Sequence, residues 1–165
     1  QVINACRTVD QLIIGRVQGK AVGGGVGIAS AVDYCFATQR AEVKLSELAV
    51  GIGPFVVGPA VERKIGLSAM SELAINATEW RSAEWAKSKG LYTEVFDSIE
   101  AMDEAVETLA VRLSNSNPEA MNDLKKIFWQ GTSHWDELLE ERAGISGRLV
   151  LSEFTRNAIS AFKSK

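Results

Sequence analysis

The first third of the chain alternates short apolar runs with glycine-rich segments. The run at 12–18 is rich in branched apolar residues, which predicts a β-strand. Two further short runs, at 34–38 and 42–45, predict a second and a third strand. Between the first two runs, the small residues at 28–32 predict a buried helix that follows a cluster of glycines. This order of strand, helix and strand indicates an α/β fold.

Beyond residue 56 the apolar residues recur mostly at helical spacing. Met102, Val106 and Leu109 show it clearly, since residues at this spacing share one face of an amphipathic helix. At the other end, the segment 1–8 is typical of the last turns of a helix, and we expect the beginning of that helix to lie before this sequence. Helices are predicted at 57–65, 68–76, 82–90, 102–114, 118–129, 135–151 and 153–162, with a brief strand at 95–96.

Composition and charge narrow the class of protein. The chain has 165 residues, of which 46% are hydrophobic and 24% charged, as in an ordinary globular domain with one core. The formal net charge is −3, and the lysines and arginines are scattered, whereas a nucleic-acid surface needs a concentrated basic patch. No apolar run reaches the length of a membrane span. We therefore expect neither nucleic acid nor a membrane among its partners.

The residues that commonly bind metals are few and dispersed. The two cysteines, Cys6 and Cys35, form no CxxC pair, and His134 is the only histidine. A zinc site needs about four clustered ligands of these types, so we predict that the protein has no metal site. Isolated thiols are typical of a reducing compartment, and we expect a cytoplasmic protein.

The glycine cluster is the first candidate for chemistry. Gly23, Gly24 and Gly25 precede the predicted helix, and Gly27 follows two residues later. Glycines allow a ligand to approach the backbone, and the start of a helix offers unpaired N–H groups, so the cluster could bind a phosphate or stabilise an oxyanion. The spacing matches neither a P-loop nor the dinucleotide pattern G-x-G-x-x-G. Tight packing of helix against strand explains the same glycines equally well.

Glu47 is the second candidate. It lies among apolar neighbours, Leu45, Leu48 and Val50, after the two short strands. Partial burial would raise the pKa of its carboxyl group and make it a better base near neutral pH. A solvated glutamate on the surface is the alternative that the residues alone leave open.

The order of these segments resembles the crotonase, or enoyl-CoA hydratase/isomerase, superfamily. Residues 16–25, RVQGKAVGGG, resemble the family segment V-N-G-x-A-x-G-G-G, and Asp33 stands where the family has an aspartate after its helix. Residues 41–47, AEVKLSE, resemble A-x-F-x-x-x-E, and the following LAVGI resembles x-x-L-G-I. The resemblance extends to 65–66, 83–95, 118–125 and the closing helices.

The resemblance implies a partial crotonase-like spiral of strand–strand–helix units with a helical C-terminal region. On this basis, 1–97 would be the C-terminal part of the core and 98–165 a helical region for oligomerisation. It also implies an acyl-CoA substrate, no cofactor because coenzyme A is part of that substrate, and a homotrimer or a dimer of trimers. In the family two backbone N–H groups hold the thioester oxygen. Gly24 matches one of them, and the other comes from an earlier segment that this sequence does not contain.

The chain differs from the family hydratases at one catalytic position. Hydratases of this family use two glutamates, and Gly27 stands in place of the first, whereas Glu47 matches the second. A single glutamate resembles the isomerases that move a double bond through an enolate, and their loop resembles Gly53-Pro54-Phe55. We predict such an isomerase, with Glu47 as the base and Gly23, Gly27, Pro54 and Phe55 lining the pocket.

Three alternatives to the isomerase stay open. The first is an enoyl-CoA hydratase, which would use Glu47 together with an acid that the sequence does not reveal. Decarboxylases and dehalogenases of the family also lack the first glutamate. The last alternative is a non-catalytic crotonase-like subunit. An apolar stripe on the closing helices indicates a partner surface for any of them, at Leu138, Ile145, Leu149 and Phe154.

Overall fold

Two small parallel sheets lie at the centre of the fold, which the computed structural model describes for residues 1–163. The first sheet contains β1 (Ile14–Val17), β3 (Tyr34–Thr38) and β5 (Glu94–Phe96), in the order β1-β3-β5. The second pairs β2 (Ala21–Val22) with β4 (Val43–Lys44). Parallel neighbours need crossover connections, and helices supply most of them. The α/β prediction is therefore confirmed.

Two of the strands, β1 and β4, are shorter than the apolar runs that predicted them, whereas β3 has the predicted bounds 34–38. Hydrogen-bonded pairing covers only the centre of the run at 12–18 and two residues of the run at 42–45. The strand β2 was not predicted, since two residues are too few to show a period of their own. Because β2 pairs with β4, the residues directly before Gly23 lie beside the segment that leads to Glu47.

Helix α2 (Gly24–Ala31) begins inside the glycine cluster, four residues before the predicted start at 28. Glycine is a poor helix former, so local propensity alone favours a later start. Packing overrides that preference, because α2 lies against helices α1 (Val2–Thr8) and α3 (Gly58–Ile75). The side chain of Val26 and the small residues Ala29 and Ala31 are fully or almost fully buried.

The predicted pair of helices at 57–65 and 68–76 is confirmed as two arms of α3. They meet at Gly66, whose φ of 78° and ψ of 159° interrupt the helix. Only glycine adopts such backbone angles readily. The remaining helices are α4 (Ala83–Ser88), α5 (Ile99–Ser114), α6 (Pro118–Phe128), α7 (Trp135–Val150) and α8 (Glu153–Lys163), and a 3₁₀ turn spans Leu48–Val50.

A buried aspartate fixes the end of α2. The carboxylate of Asp33 accepts hydrogen bonds from the backbone N–H of Ile13 at 2.8 Å, Lys125 Nζ at 2.6 Å and Trp129 Nε1 at 3.2 Å. These donors come from the segment before β1 and from the C-terminal end of α6. One side chain thus joins the sheet, the central helix and the C-terminal helices.

The C-terminal helices pack on the rest of the chain in two places. Helix α5 covers all three strands of the first sheet. A second apolar cluster joins Trp129 and Trp135 to Ile3 of α1 and Ala31 of α2. The proposed division at 97/98 stays a prediction. Among residues 1–163, every helix is too short or too polar to cross a membrane.

Candidate active site

Gly23 forms the turn that leads into α2. Its φ of 51° lies in the region that favours glycine. Its N–H donates to the carbonyl of Lys44 at 3.0 Å, and its own carbonyl accepts from the N–H of Gly27 at 3.1 Å. A Cβ at this position would lie 2.8 Å from Glu47 Oε1. Position 23 therefore requires glycine both for its backbone angles and for the approach of the carboxylate.

Gly24 is the first residue of α2 and presents an open N–H group. The first N–H groups of a helix have no partner within it, and that of Gly24 has none among the described residues. A Cβ on Gly24 would meet no atom within 4 Å. The residue lines a cavity of about 570 Å³ together with Ile28, Val56, Val57 and residues of α1 and α7. A ligand oxygen could thus accept a hydrogen bond from Gly24 at the positive end of the helix dipole.

The carboxylate of Glu47 is held in a partly dry position. Its side chain is half-buried, and Oε2 is inaccessible to solvent with no hydrogen-bond partner in the described chain. Burial raises the pKa of Glu47, although a hydrogen bond to its own backbone opposes part of the rise. The backbone is fixed, since the carbonyl of Glu47 accepts from the N–H groups of Val50 and Ile52. Such a carboxylate is suited to take up and release a proton near neutral pH.

The position of Gly27 is occupied by a neighbouring side chain. Gly27 is buried, and a Cβ there would lie 2.5 Å from Val57 Cγ1 and 2.9 Å from Val57 Cβ. A glutamate therefore cannot be added at position 27 without displacing Val57. The expected pocket-lining role of Gly27 stays a prediction, and the side chain that faces the cavity beside it is Val57.

Pro54 and Phe55 lie in the loop between the 3₁₀ turn and α3. The carbonyl of Pro54 accepts from the N–H of Gly58 at 2.7 Å, and the ring of Phe55 folds over Gly53. Neither lines the cavity at Gly24, whereas the next two residues, Val56 and Val57, do. The pocket-lining roles of Pro54 and Phe55 therefore stay predictions. No pattern in the sequence distinguished the two valines.

The structure thus brings the carboxylate of Glu47 against Gly23, the residue that precedes Gly24 at the start of α2. The residues that line the cavity at Gly24 do not include Glu47. Among the described residues, no group of three or more His, Cys, Asp or Glu is placed to hold a metal ion. Both cysteines are free thiols, and Cys35 is buried. The chemistry that this arrangement offers is proton transfer by one carboxylate beside an oxyanion donor.

Known sequences share this arrangement of segments. Residues 1–163 match the model of a family described as enoyl-CoA hydratase/isomerase. A peroxisomal Delta(3,5)-Delta(2,4)-dienoyl-CoA isomerase from Arabidopsis thaliana is 27% identical over 96% of this chain and 56% of its own length. A carnitinyl-CoA dehydratase from Salmonella paratyphi A is 34% identical over 73% of this chain and 46% of its own. The chain spans about half the length of the curated relatives it matches.

Solved structures share the fold. An enoyl-CoA hydratase/isomerase from Pseudoalteromonas atlantica T6c superposes with a TM-score of 0.90 at 18% identity, covering 98% of this chain and 65% of that one. An enoyl-CoA hydratase from Mycobacterium avium gives a TM-score of 0.89 at 23% identity, with 98% and 63% coverage. The crotonase-like fold expected from the sequence is confirmed. With the match of residues 1–163 to the family model, this shows that the chain belongs to the enoyl-CoA hydratase/isomerase family.

Proposed function

We propose that this chain carries the base of an enoyl-CoA isomerase, which moves the double bond of a 3-enoyl thioester to the 2-position. The observation that carries the proposal is the half-buried carboxylate of Glu47, which lies against Gly23, the residue before the open N–H of Gly24. A double-bond shift needs one base that can also act as an acid. Burial raises the pKa of Glu47, which makes its carboxylate a stronger base than a solvated one.

The reaction follows from the positions of these two groups. The thioester oxygen accepts a hydrogen bond from Gly24 N–H, and the Glu47 carboxylate removes a proton from C2. The electron pair of the broken C–H bond moves toward the thioester carbonyl, giving an enolate whose charge the helix N-terminus stabilises. Glu47 then returns the proton to C4, and the double bond ends between C2 and C3. Atoms and charge balance without a cofactor, because coenzyme A is part of the substrate.

An enoyl-CoA hydratase is the second candidate. It is favoured by the Salmonella relative named carnitinyl-CoA dehydratase, at 34% identity. Adding water to a 2-enoyl thioester places a hydroxyl on C3 and a proton on C2, and therefore needs a group that orients the water. The carboxylate of Glu47 could fill one of these roles, and a second polar group would have to fill the other.

We further propose that the protein is a homotrimer or a dimer of trimers. Large apolar side chains on the C-terminal helices are exposed, among them Ile127 at 63%, Leu151 at 65% and Phe154 at 70%. Of the predicted apolar stripe, Phe154 is exposed, whereas Leu138, Ile145 and Leu149 are half-buried. Exposed apolar side chains that cluster on a surface are typical of an interface. Light scattering that shows a monomer at micromolar concentration would contradict the trimer. We place the protein in the cytoplasm, where a reducing environment keeps thiols such as Cys6 and Cys35 free.

The test of the function is Glu47→Gln in the full-length protein. The amide keeps the shape of the side chain but cannot accept the proton. We expect the isomerisation rate of a 3-enoyl-CoA to fall by about 10²–10⁴, the usual contribution of a general base, with little change in binding. Absorbance of the conjugated 2-enoyl thioester follows the reaction, and calorimetry with a saturated acyl-CoA measures binding.

A matched control is Glu42→Gln, which changes a nearby carboxylate that pairs with Lys20 at 2.8 Å. This variant should retain the wild-type rate. Unchanged turnover in Glu47→Gln would remove Glu47 from the mechanism. A wild-type protein that turns over neither 3-enoyl nor 2-enoyl thioesters would instead indicate a non-catalytic subunit.

A further inference from the structure

We propose that Val57 determines the reaction specificity of this site, because it places a hydrocarbon wall where water addition would need a polar group. The inference rests on the proposed function, in which Gly24 and Glu47 act on an acyl thioester. It assigns to Val57 the exclusion of water from the reacting carbons.

Gly23 and Gly27 have no side chains, and the space beside each of them is filled by a residue from another segment. Gly23, the residue before α2, and Gly27 in its first turn are joined by a hydrogen bond from the Gly27 N–H to the Gly23 carbonyl at 3.1 Å. Glu47 Oε1 comes within 2.8 Å of the first Cβ position, and Val57 Cγ1 within 2.5 Å of the second. The carboxylate and the valine methyl groups therefore pack against two glycines that this hydrogen bond joins at the start of α2.

Gly24 lies on the same side of the helix and remains open. It is three residues before Gly27, a spacing that also places residues on one face. Gly24 and Val57 line the same cavity, with Ile28 and Val56 beside them. A thioester held by Gly24 N–H in this cavity would thus lie against the Val57 methyl groups, and Glu47 would reach it from the side of Gly23.

Val57 is fixed in this place by its surroundings. Its carbonyl accepts from the N–H of Val61 at 3.0 Å at the start of α3, which anchors the backbone. Its side chain occupies the space that Gly27 leaves free, and any larger residue at position 27 would displace it. The glycine and the valine are therefore a matched pair.

The chemical consequence concerns water. For hydration, the oxygen of a water molecule bonds to C3 while a proton goes to C2, so the water must be held by hydrogen bonds close to C3. A valine offers no such bond, and a water molecule against an apolar wall loses hydrogen bonds that it has in bulk solvent. The proton shift from C2 to C4 uses only Glu47 and needs no water. Val57 therefore favours isomerisation over hydration.

The test is Val57→Thr in the full-length protein, which keeps the branched shape and adds one hydroxyl. We expect the ratio of 2-enoyl-CoA hydration to 3-enoyl-CoA isomerisation to rise about tenfold, the rate equivalent of one hydrogen bond. Val57→Ala, which opens space for water, should raise the ratio in the same direction. Val56→Thr is the control, because Val56 lines the same cavity but does not fill the space at Gly27.

The outcomes separate this inference from the proposed function. Unchanged ratios in both Val57 variants, or an equal rise in Val56→Thr, would overturn the role of Val57 even if Glu47→Gln abolishes isomerisation. A wild-type protein with neither activity would overturn the proposed function and this inference with it.

The pairing of Gly27 with Val57 can also be tested by stability, without turnover. Gly27→Ala should lower the urea midpoint of unfolding, and adding Val57→Ala should restore part of the loss. If Gly27→Ala lowers the urea midpoint equally in the wild type and in the Val57→Ala variant, the two positions are not coupled.

Discussion

Replacing Lys125 with methionine should destabilise the folded protein strongly. The ammonium group of Lys125 lies 2.6 Å from Asp33 Oδ2, and the two side chains are only 3% and 6% exposed. Methionine matches the lysine in length but carries no charge. The variant therefore leaves the buried carboxylate of Asp33 without its hydrogen-bonded counter-ion, while the charges of Arg63 and Lys64 still act on it.

The structure sets the size of the effect. Removing one partner of a buried ion pair costs about 3–5 kcal/mol, because the remaining charge is no longer compensated. Asp33 keeps two donors, the N–H of Ile13 and Nε1 of Trp129, and each contributes a net stabilisation of about 1 kcal/mol. We therefore expect a loss of about 3 kcal/mol, at the low end of the range.

Urea unfolding of the full-length protein at pH 7, followed by tryptophan fluorescence, measures the loss. Lys126→Met is the matched control, since the next lysine pairs with Asp123 on the surface at 3.0 Å, where the side chains are 67% and 70% exposed. Exposed pairs contribute little, so this variant should lose no more than about 0.5 kcal/mol. The double variant Asp33→Asn with Lys125→Met should be more stable than Lys125→Met alone, because it removes the uncompensated charge. Equal small losses for the two lysine variants would refute the reasoning.

Three further outcomes can be checked in the full-length protein. Gly23→Ala should isomerise the substrate much more slowly than Gly25→Ala. The first variant adds a Cβ 2.8 Å from Glu47 Oε1 at a residue with positive φ, whereas the second adds a Cβ in normal contact, 3.6 Å from Ala21. Equal rates in the two variants would contradict this prediction. Because the folded state raises the pKa of Glu47 above its ordinary value of 4.5, its protonated form favours folding at low pH, and that advantage is lost as the pH rises through the raised pKa. Glu47→Gln should therefore unfold at an equal or higher urea concentration than wild type at pH 7, and a lower midpoint would argue against burial of the charge. Burial raises the pKa of Cys35 to about 12, so a thiol reagent at pH 8 should modify the half-buried Cys6 first, as peptide mapping would show.

The sequence favours a residue as a candidate for chemistry where that residue type has a specific use. Gly24 and Glu47 were predicted because a glycine-rich helix start and a carboxylate among apolar residues each have a specific use, and their order resembles a known family. The break between the two arms of α3 was also predicted, since separate helices were expected at 57–65 and 68–76. The structure gives Gly66 a φ of 78°, which explains the interruption.

Contacts between distant residues could not be predicted in the same way. The filling of the Gly27 position by Val57 joins residues 30 positions apart, and the bond from Lys125 to Asp33 spans 92 positions. The early start of α2 belongs to the same group, because the glycines become helical only when α1 and α3 pack against them. Periodicity describes which face of a segment is apolar, but not which side chain will cover it.

The order of strands in the first sheet has a consequence for biosynthesis. The central strand β3 ends at residue 38, but its outer neighbour β5 begins only at residue 94. During translation, the side of β3 that pairs with β5 therefore keeps its backbone N–H and C=O groups unpaired while more than fifty further residues are added. Such an edge is a template for pairing with other chains. Truncations that end before residue 94 should aggregate, and chaperones should be needed mainly during this interval of synthesis.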